Sequence, residues 1–179
     1  MWKMFKFLKG IIKGILDLKE ETQKLTGEYF ITNATMDLIK EFESFSPTAY
    51  QDTVGVWTIG YGSTFYKDGT SVKAGDTITR LEAERLFKHV LDQFASEMDS
   101  VIKSDLTDCQ FGALLSLTYN IGITAFKSST ILKKINVDPD DPSIEVQFNR
   151  WVKAGGKTSN GLIKRRKKEV DFYFGKTCQ

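Results

Sequence analysis

The chain lacks most of the residues on which metal and thiol chemistry depends. Its 179 residues include one histidine, His89, and two cysteines, Cys109 and Cys178, with no CxxC pair and no histidine cluster. This excludes a disulfide-rich scaffold and offers no ligand set for a metal site. The sequence does not decide whether the two cysteines pair. His89 lies inside a helical pattern, which is typical of a solvated or packed histidine, so any acid–base chemistry should depend on carboxylates.

Long hydrophobic runs are also absent near the N-terminus. Lysines interrupt the apolar residues of the segment 1–30, so that no apolar run there exceeds two residues. This excludes from the segment a transmembrane helix of about 20 apolar residues and the apolar core of a secretory signal. The spacing predicts a basic amphipathic extension over residues 1–30, followed by one domain over residues 31–179. Residues 1–20 would contact an anionic membrane surface, or would pack on a protein partner or on the domain itself.

Charge is unevenly distributed along the chain. Residues 31–149 carry 10 Lys or Arg against 17 Asp or Glu, whereas residues 150–179 carry nine against two. A basic C-terminal segment suits an anionic polymer such as cell wall or nucleic acid, although the two regions could equally neutralise each other on folding. We expect no nucleic-acid partner, because the basic run LIKRRKKEV has no interleaved aromatic residues.

Hydrophobic periodicity predicts an α+β fold with a small hairpin lobe and a larger helical lobe joined by a long helix. TNATMDLIKEFES predicts a short helix ended by Pro47, and the β-branched and aromatic residues that follow predict a hairpin. Further helices are predicted near residues 128–135, 143–153 and 161–174, with a turn at KAGGKTSNG.

Two capping boxes mark helix starts in the larger lobe. Thr79 with Glu82 begins the long helix, and Thr107 with Gln110 begins the next one, which Gly122 should end. The predicted apolar stripe of the long helix consists of Leu86, Val90, Phe94 and Val101.

Two carboxylates and a hydroxyl flank the predicted hairpin. Glu43 lies at the end of the first helix between Phe42 and Phe45, where the helix dipole and partial burial should raise its pKa. Asp52 lies in the polar turn YQDTVG, where it should stay ionised, and pairing across the turn could bring the Thr58 hydroxyl near it. One protonated and one ionised carboxyl group are what a glycosidase needs. The alternative is that these are ordinary surface residues of a helix end and a turn.

The order and spacing of Glu43, Asp52 and Thr58, followed by IGYG, resemble the catalytic signature of the phage-type lysozymes, glycoside hydrolase family 24. LTDCQFGALLSLTYNIGITAFKSSTILKKIN resembles the central helices of that family. RWVKAGGKTSNGLIKRRKKEVDFYF resembles its C-terminal end. The resemblance covers roughly residues 31–174.

The resemblance implies a lysozyme-like fold and a muramidase that hydrolyses the β-1,4 bond between N-acetylmuramic acid and N-acetylglucosamine in peptidoglycan. Glu43 would protonate the departing glycosidic oxygen. Asp52 and Thr58 would hold the attacking water on the opposite face, so the reaction would invert the anomeric carbon. Neither a metal nor an organic cofactor is required. The family also implies a phage endolysin made in a host cytoplasm, which acts on peptidoglycan in the periplasm, and we expect a monomer.

The resemblance extends to residues around the cleft. Substrate-binding positions are implied at Thr64, Tyr119, Asn120 and Ser129. Asn120 could instead satisfy backbone groups near Gly122. One arginine of the pair Arg165 and Arg166 should approach Glu43, but the sequence does not say which. Trp151 and Phe148 should belong to the core.

The sequence departs from the family pattern at three places. Ser44 follows the glutamate where glycine is usual, and Ser63 follows GYG where histidine is common. The lysine-rich N-terminal segment replaces the weakly hydrophobic anchor of relatives that export themselves. Two alternatives to a muramidase therefore stay open: a virion-associated or membrane-active protein that uses a lysozyme-like scaffold, and a lytic transglycosylase. A lytic transglycosylase needs only the glutamate, so Asp52 and Thr58 count against it.

Overall fold

The computed structural model describes residues 29–52 and 54–178. The predicted extension over residues 1–30 lies almost entirely outside the described residues and stays a prediction. The described residues form seven helices and two small antiparallel sheets, which confirms the α+β prediction. In chain order the elements are α1 (Asn33–Lys40), β1 (Ser46–Gln51), β2 (Trp57–Gly60), α2 (Arg80–Asp99), α3 (Asp108–Ile121), α4 (Ile123–Ser128), α5 (Thr130–Ile135), α6 (Ile144–Phe148), β3 (Lys153–Ala154), β4 (Lys157–Thr158) and α7 (Asn160–Tyr173).

The predicted hairpin is formed by β1 and β2. Tyr50 pairs with Thr58 across it, and the register shifts between Ser46 and Tyr50. Gly55 has a φ of 84°, a backbone conformation that the turn requires and that glycine adopts without strain. Because Asp52 follows β1 directly and Thr58 is the second residue of β2, the hairpin brings both residues to its turn end.

Helix α3 is the centre of the helical lobe. All its residues from Gln110 to Thr118 are buried, and α1, α2 and α7 pack around it. A helix that is apolar on all sides is stable when other elements cover every face. This explains why neighbouring elements cover the apolar run ALLSL on every side.

Both predicted capping boxes are confirmed. The Thr79 hydroxyl accepts from the Glu82 N–H at 3.3 Å, and the Glu82 carboxylate accepts from the Thr79 N–H at 2.9 Å. Thr107 and Gln110 form the same pair of bonds at 3.2 and 2.9 Å. Gly122, with a φ of 84°, ends α3 as predicted.

The first helix is shorter than predicted. Helix α1 ends at Lys40 rather than continuing toward Pro47. The N–H groups of Phe42 and Glu43 donate to the carbonyls three residues earlier, at 3.0 and 3.2 Å, so the chain tightens and leaves the α-helical path. Glu43 therefore lies just beyond the helix rather than in its last turn.

The helix predicted over residues 143–153 is also too long, because α6 ends at Phe148. The following residues enter a short hairpin in which Ala154 pairs with Lys157. Gly155 and Gly156, with φ of 55° and 78°, form its two-residue turn, which favours glycine at both positions. Phe148 is fully buried as expected, whereas Trp151 is only half-buried.

The predicted apolar stripe of α2 is only partly correct. Leu86 is buried, whereas Val90 and Phe94 are half-buried and Val101 lies beyond the helix end. Because α2 packs against β2, α3 and α4 at once, its deepest face follows those neighbours and consists of Ala83, Leu86, Phe87, Leu91 and Met98.

Cys109 and Cys178 form a disulfide bond, with Cα atoms 5.8 Å apart and a sequence separation of 69. This answers the question that the sequence left open. The bond joins the first turn of α3 to the segment that follows α7. Within residues 29–52 and 54–178, no helix combines the length and apolarity needed to cross a membrane.

Gly112 is the position in α3 where packing leaves no room for a side chain. A Cβ atom there would lie 2.3 Å from the Thr35 hydroxyl oxygen and 3.1 Å from the Phe172 ring. We expect Gly112→Ala to lower the free energy of unfolding by about 1–3 kcal/mol, the usual cost of overpacking, although alanine has the higher helix propensity. Urea unfolding followed by circular dichroism measures the change.

Gly161→Ala is the matched control for this substitution. Gly161 is also helical but exposed, and the nearest atom to an added Cβ would be the Ser159 hydroxyl oxygen at 3.7 Å. We expect this variant to be as stable as the wild type or up to about 1 kcal/mol more stable. Equal stability of Gly112→Ala and Gly161→Ala would contradict the close packing of α1, α3 and α7.

Candidate active site

Glu43 is held at the junction of α1, α3 and α7. Its side chain is 22% exposed, and Oε1 accepts a hydrogen bond from Arg165 Nη1 at 2.7 Å. The Arg165 guanidinium in turn lies over the Phe42 ring, 5.3 Å from its centroid. Burial raises the pKa of Glu43 above its ordinary value, and the Arg165 charge opposes that effect. The expected direction of the shift is confirmed, with burial as the largest cause.

Asp52 has a different environment, in the turn between β1 and β2. Its Oδ1 atom accepts from the N–H groups of Val54 and Val56, at 2.9 and 2.8 Å. Its Oδ2 atom accepts no hydrogen bond from the described residues. The carboxylate thus closes the turn with one oxygen, and its other oxygen has no hydrogen-bond partner among the described residues.

Thr58 is linked to Asp52 through one carbonyl group. The Val56 oxygen accepts from the Asp52 N–H at 2.9 Å and from the Thr58 hydroxyl at 3.1 Å. The hairpin therefore brings the two residues together, as predicted. Because the Thr58 hydroxyl hydrogen is directed at Val56, the lone pairs of this buried oxygen remain available as acceptors.

Arg165 is the arginine that reaches Glu43, which the sequence could not decide. It is 4% exposed, and its three nitrogens point to three partners. Nη1 donates to Glu43, Nη2 donates to the Ser116 carbonyl at 3.1 Å, and Nε donates to Glu169 Oε1 at 3.1 Å. The fork geometry of a guanidinium fits such a set, which a lysine could not satisfy.

Glu169 is a site residue that the sequence analysis missed. It is fully buried, and its Oε1 atom also accepts from the Ser116 hydroxyl at 2.7 Å and from Arg166 Nη2 at 3.1 Å. Arg166 Nε lies 2.7 Å from Oε2, close enough for an ion pair but not aligned as a hydrogen bond. The signal was present, because Arg165 and Arg166 precede Glu169 by four and three residues on one helix.

The ionisation of this buried cluster follows from its contacts. Burial raises the pKa of Glu169, and the two guanidinium charges oppose it. Both guanidiniums lie within ion-pairing distance of Glu169, and these contacts favour its ionised form. Burial lowers the pKa of Arg166 to about 10, so this residue stays charged at neutral pH.

A cleft of about 480 Å³ lies beside Tyr119. Its other walls are formed by loop residues 62–67 and Gly69 and by the α2 residues His89, Val90, Gln93 and Phe94. Tyr119 donates its hydroxyl hydrogen to the Tyr61 carbonyl at 2.7 Å. Burial and the nearby Glu43 charge raise the pKa of Tyr119 well above its ordinary value, so it remains a neutral donor.

The four predicted substrate-binding residues fall into two groups. Thr64 and Tyr119 line the cleft, whereas Asn120 and Ser129 do not. The Asn120 side-chain oxygen accepts from Arg166 Nη2 at 3.0 Å. The Ser129 hydroxyl is buried and caps α5 by accepting from the Leu132 N–H at 3.1 Å. Sugar contacts of all four residues stay predictions. Thr64 and Tyr119 line the cleft, whose lining does not include Glu43, Asp52 or Thr58.

Other residues of the cleft were not predicted. Ser63, which stands where the family commonly has histidine, lines it, as do Gln93 and the half-exposed Phe65. The available sequence signal for Phe65 was a phenylalanine within the polar, glycine-containing loop YGSTFYKDG. No group of three or more metal-ligating side chains occurs in the part of the chain that the structure describes.

Comparison with known proteins assigns the family. The family model described as phage lysozyme matches residues 40–169, which include Glu43, Asp52, Thr58 and Glu169. The chain belongs to the phage lysozyme family. Members of this family are glycoside hydrolases, so the expected enzyme class is confirmed.

Individual relatives agree with this assignment. The endolysin of Acyrthosiphon pisum secondary endosymbiont phage 1 is 40% identical over 147 residues, covering 80% of this chain and 97% of that protein. The Bacillus phage B103 endolysin is 38% identical over 145 residues, which are 80% of this chain and 53% of the endolysin, so the chain spans about half of that relative. A solved endolysin from Escherichia coli O157:H7 phage FAHEc1 has a TM-score of 0.73 at 37% identity, covering 82% of this chain and 94% of that one. The lysozyme-like fold is thereby confirmed.

Proposed function

We propose that this phage lysozyme is a muramidase that hydrolyses the β-1,4 bond between N-acetylmuramic acid and N-acetylglucosamine in bacterial peptidoglycan. The contrast between the two carboxyl groups carries the proposal. Glu43 is largely buried, with a raised pKa, whereas Asp52 closes a half-exposed hairpin turn through backbone N–H groups. Glycoside hydrolysis needs one carboxyl group that donates a proton and one that assists water.

In the proposed mechanism Glu43 donates its proton to the departing glycosidic oxygen. Asp52 accepts a proton from the attacking water through Oδ2. Thr58 orients the same water, because its own hydrogen is engaged by Val56 and its oxygen can accept from the water. Water attack on the face opposite the leaving group inverts the anomeric carbon. We propose Thr64 and Tyr119, which line the cleft, as sugar contacts. Asn120 and Ser129, which do not line it, are proposed as further sugar contacts.

The site of action is proposed to be the peptidoglycan layer in the periplasm. The disulfide bond between Cys109 and Cys178 supports this, because such bonds persist in oxidising compartments. Residues 31–179 would form the catalytic domain and act as a monomer. Residues 1–30 would be an extension whose first 20 residues contact an anionic membrane surface or a protein partner.

Product analysis tests the reaction. Purified Gram-negative peptidoglycan should be digested to muropeptides that end in reducing N-acetylmuramic acid, each one water heavier than the anhydro product of a lytic transglycosylase. Mass spectrometry separates these outcomes, and NMR spectra recorded early in the digestion should show the α-anomer first. Anhydro ends would establish the transglycosylase alternative. Absence of any products would favour the scaffold alternative.

Asp52→Asn provides the sharper form of this test, with Asp68→Asn as its control. Asp68 also closes a turn, through the Thr70 N–H at 3.0 Å and the Thr70 hydroxyl at 2.7 Å. An asparagine oxygen can accept the same bonds, so both turns should persist. We expect Asp52→Asn to lose at least about a hundredfold in kcat, as for loss of a general base, and Asp68→Asn to retain wild-type activity. Equal activity of the two variants would contradict the role of Asp52.

A further inference from the structure

Glu169 is a fully buried carboxylate that contacts neither the cleft nor the reacting groups of the proposed mechanism. An ionised carboxyl group away from water is costly unless cations and hydrogen bonds compensate it. Ser116, Arg165 and Arg166 provide that compensation, through contacts between 2.7 and 3.1 Å. Glu169 has no partner outside this cluster among the described residues, so these three side chains provide all the compensation for the desolvation of its carboxylate.

Arg165 connects Glu169 to Glu43. Its Nε atom donates to Glu169 Oε1 at 3.1 Å, and its Nη1 atom donates to Glu43 Oε1 at 2.7 Å. One guanidinium is therefore shared between two carboxylates. The Nη2 bond to the Ser116 carbonyl fixes the plane of the guanidinium. Neither carboxylate can therefore bind both the Nε side and the Nη1 side of Arg165.

The charges of the cluster determine how easily Glu43 keeps a proton. When Glu43 is ionised, Arg165 and Arg166 are balanced by Glu43 and Glu169. When Glu43 is protonated, the cluster carries one net positive charge. Without the Glu169 charge, the same protonated state would leave two adjacent guanidiniums uncompensated. In a site with Arg165 and Arg166 almost fully buried, that state would be strongly disfavoured.

We propose that Glu169 is a positioning residue for the general acid: it occupies the Nε edge of Arg165, balances Arg166, and so allows Glu43 to hold its proton at neutral pH. The inference rests on the proposed function, since it concerns the acid of that reaction. Helix α7 would thus both orient Arg165 and set the upper end of the pH range in which the enzyme is active.

Other charged or titratable groups around Glu43 are few. Tyr119 faces it from α3, and Asp52 and Tyr50 belong to the hairpin. Glu41, two residues before it, is paired with Lys168 of α7 at the surface. None of these groups contacts Glu169 in the described structure, so a change at Glu169 should reach Glu43 through Arg165.

The experiment compares pH profiles of kcat and KM for the wild type and Glu169→Gln on soluble peptidoglycan fragments. A general acid must be protonated, so activity falls as pH rises through its pKa. The part of the profile in which kcat falls with rising pH is called the alkaline limb. We expect Glu169→Gln to move this limb to lower pH by about one unit, so that kcat at pH values on the limb is roughly tenfold lower than in the wild type. KM and the activity on the acidic side should stay unchanged. Asp171→Asn is the matched control, an acidic residue of the same helix that pairs with Lys176 at the surface, and should not move the limb.

Two further variants keep the test decisive. Glu169→Gln combined with Arg166→Gln restores the net charge of the cluster and should return the limb toward the wild-type position. Loss of packing would instead make the double variant worse than the single one. Ser116→Ala keeps every charge and removes only the hydroxyl bond to Glu169. Because the charge balance is unchanged, it should leave the limb near the wild-type position, and a shift as large as that of Glu169→Gln would contradict a charge effect.

An unmoved limb in Glu169→Gln would overturn the inference. If that variant does not fold, a limb displaced from the wild-type position in Glu169→Gln combined with Arg166→Gln would overturn it. So would a limb moved to higher pH, or a rise in KM with an unchanged kcat profile. Failure of the proposed function looks different. In that case the wild type would release no reducing N-acetylmuramic acid ends, whatever residue 169 is.

Discussion

Glu43→Gln is expected to lower kcat on peptidoglycan by about 10²–10⁴-fold, the usual contribution of a general acid. Glutamine has the same shape and can still accept from Arg165 Nη1, which lies 2.7 Å from the carboxylate, but it has no proton to donate to a leaving alcohol. Turbidity loss of a purified peptidoglycan suspension, together with counts of new reducing ends, measures the effect. The substitution should not lower the thermal stability.

The stability expectation follows from the sign of the pKa shift. Burial raises the pKa of Glu43 in the folded state. At pH values above the ordinary pKa of a glutamate, this shift lowers the free energy of unfolding. The loss grows as the pH rises toward the pKa of the folded state. Glutamine resembles the protonated form and avoids that cost at pH 7. A variant that is inactive yet at least as stable as the wild type is what a catalytic carboxyl group predicts.

Glu41→Gln is the control for this variant. Glu41 is two residues away, is 43% exposed, and forms a surface ion pair with Lys168. Such pairs contribute about 0–1 kcal/mol, so activity and stability should both stay near wild type. If Glu43→Gln clears peptidoglycan as fast as Glu41→Gln, another residue donates the proton.

Cys178→Ser is expected to have the largest effect on stability. The bond to Cys109 closes a loop with a sequence separation of 69, and the chain-entropy model gives about 4 kcal/mol for a loop of that length. For a domain of this size, about 2–4 °C of Tm is lost per kcal/mol, so Tm should fall by about 8–16 °C. Calorimetry of wild type and variant, with and without reductant, measures the change.

The reductant is the internal control of that experiment. It should lower the Tm of the wild type to that of Cys178→Ser and leave the variant unchanged. Both forms should retain peptidoglycan hydrolysis at 25 °C, because the disulfide lies at the start of α3, away from Glu43 and Asp52. A wild-type Tm that neither reductant nor the substitution alters would show that the bond is not formed in solution.

Local sequence signals predicted those features that depend on neighbouring residues. The capping boxes at Thr79 and Thr107 involve residues three apart, and the structure contains both. The two-carboxylate pattern at Glu43 and Asp52 was also visible, because burial beside Phe42 and a polar turn are properties of short segments. The roles of these residues depend on the wider site and remain to be tested.

Features that depend on distant contacts could not be predicted. The end of α1 at Lys40 is determined by how the chain turns toward the hairpin, and no proline or glycine marks it. The choice of Arg165 over Arg166 depends on the rotation of α7 against α3, because adjacent residues differ by about 100° around a helix. The disulfide partners lie 5.8 Å apart at their Cα atoms only because α3 and α7 pack together.

The position of the disulfide bond also determines when it can form. The loop that the bond closes contains α4, α5, α6, the β3–β4 hairpin and α7. All of these elements must therefore be synthesised before the two sulfur atoms can meet. At about 5–20 residues per second, a ribosome needs several seconds to make the chain between Cys109 and Cys178. The bond can therefore form only after the last of these elements has been made.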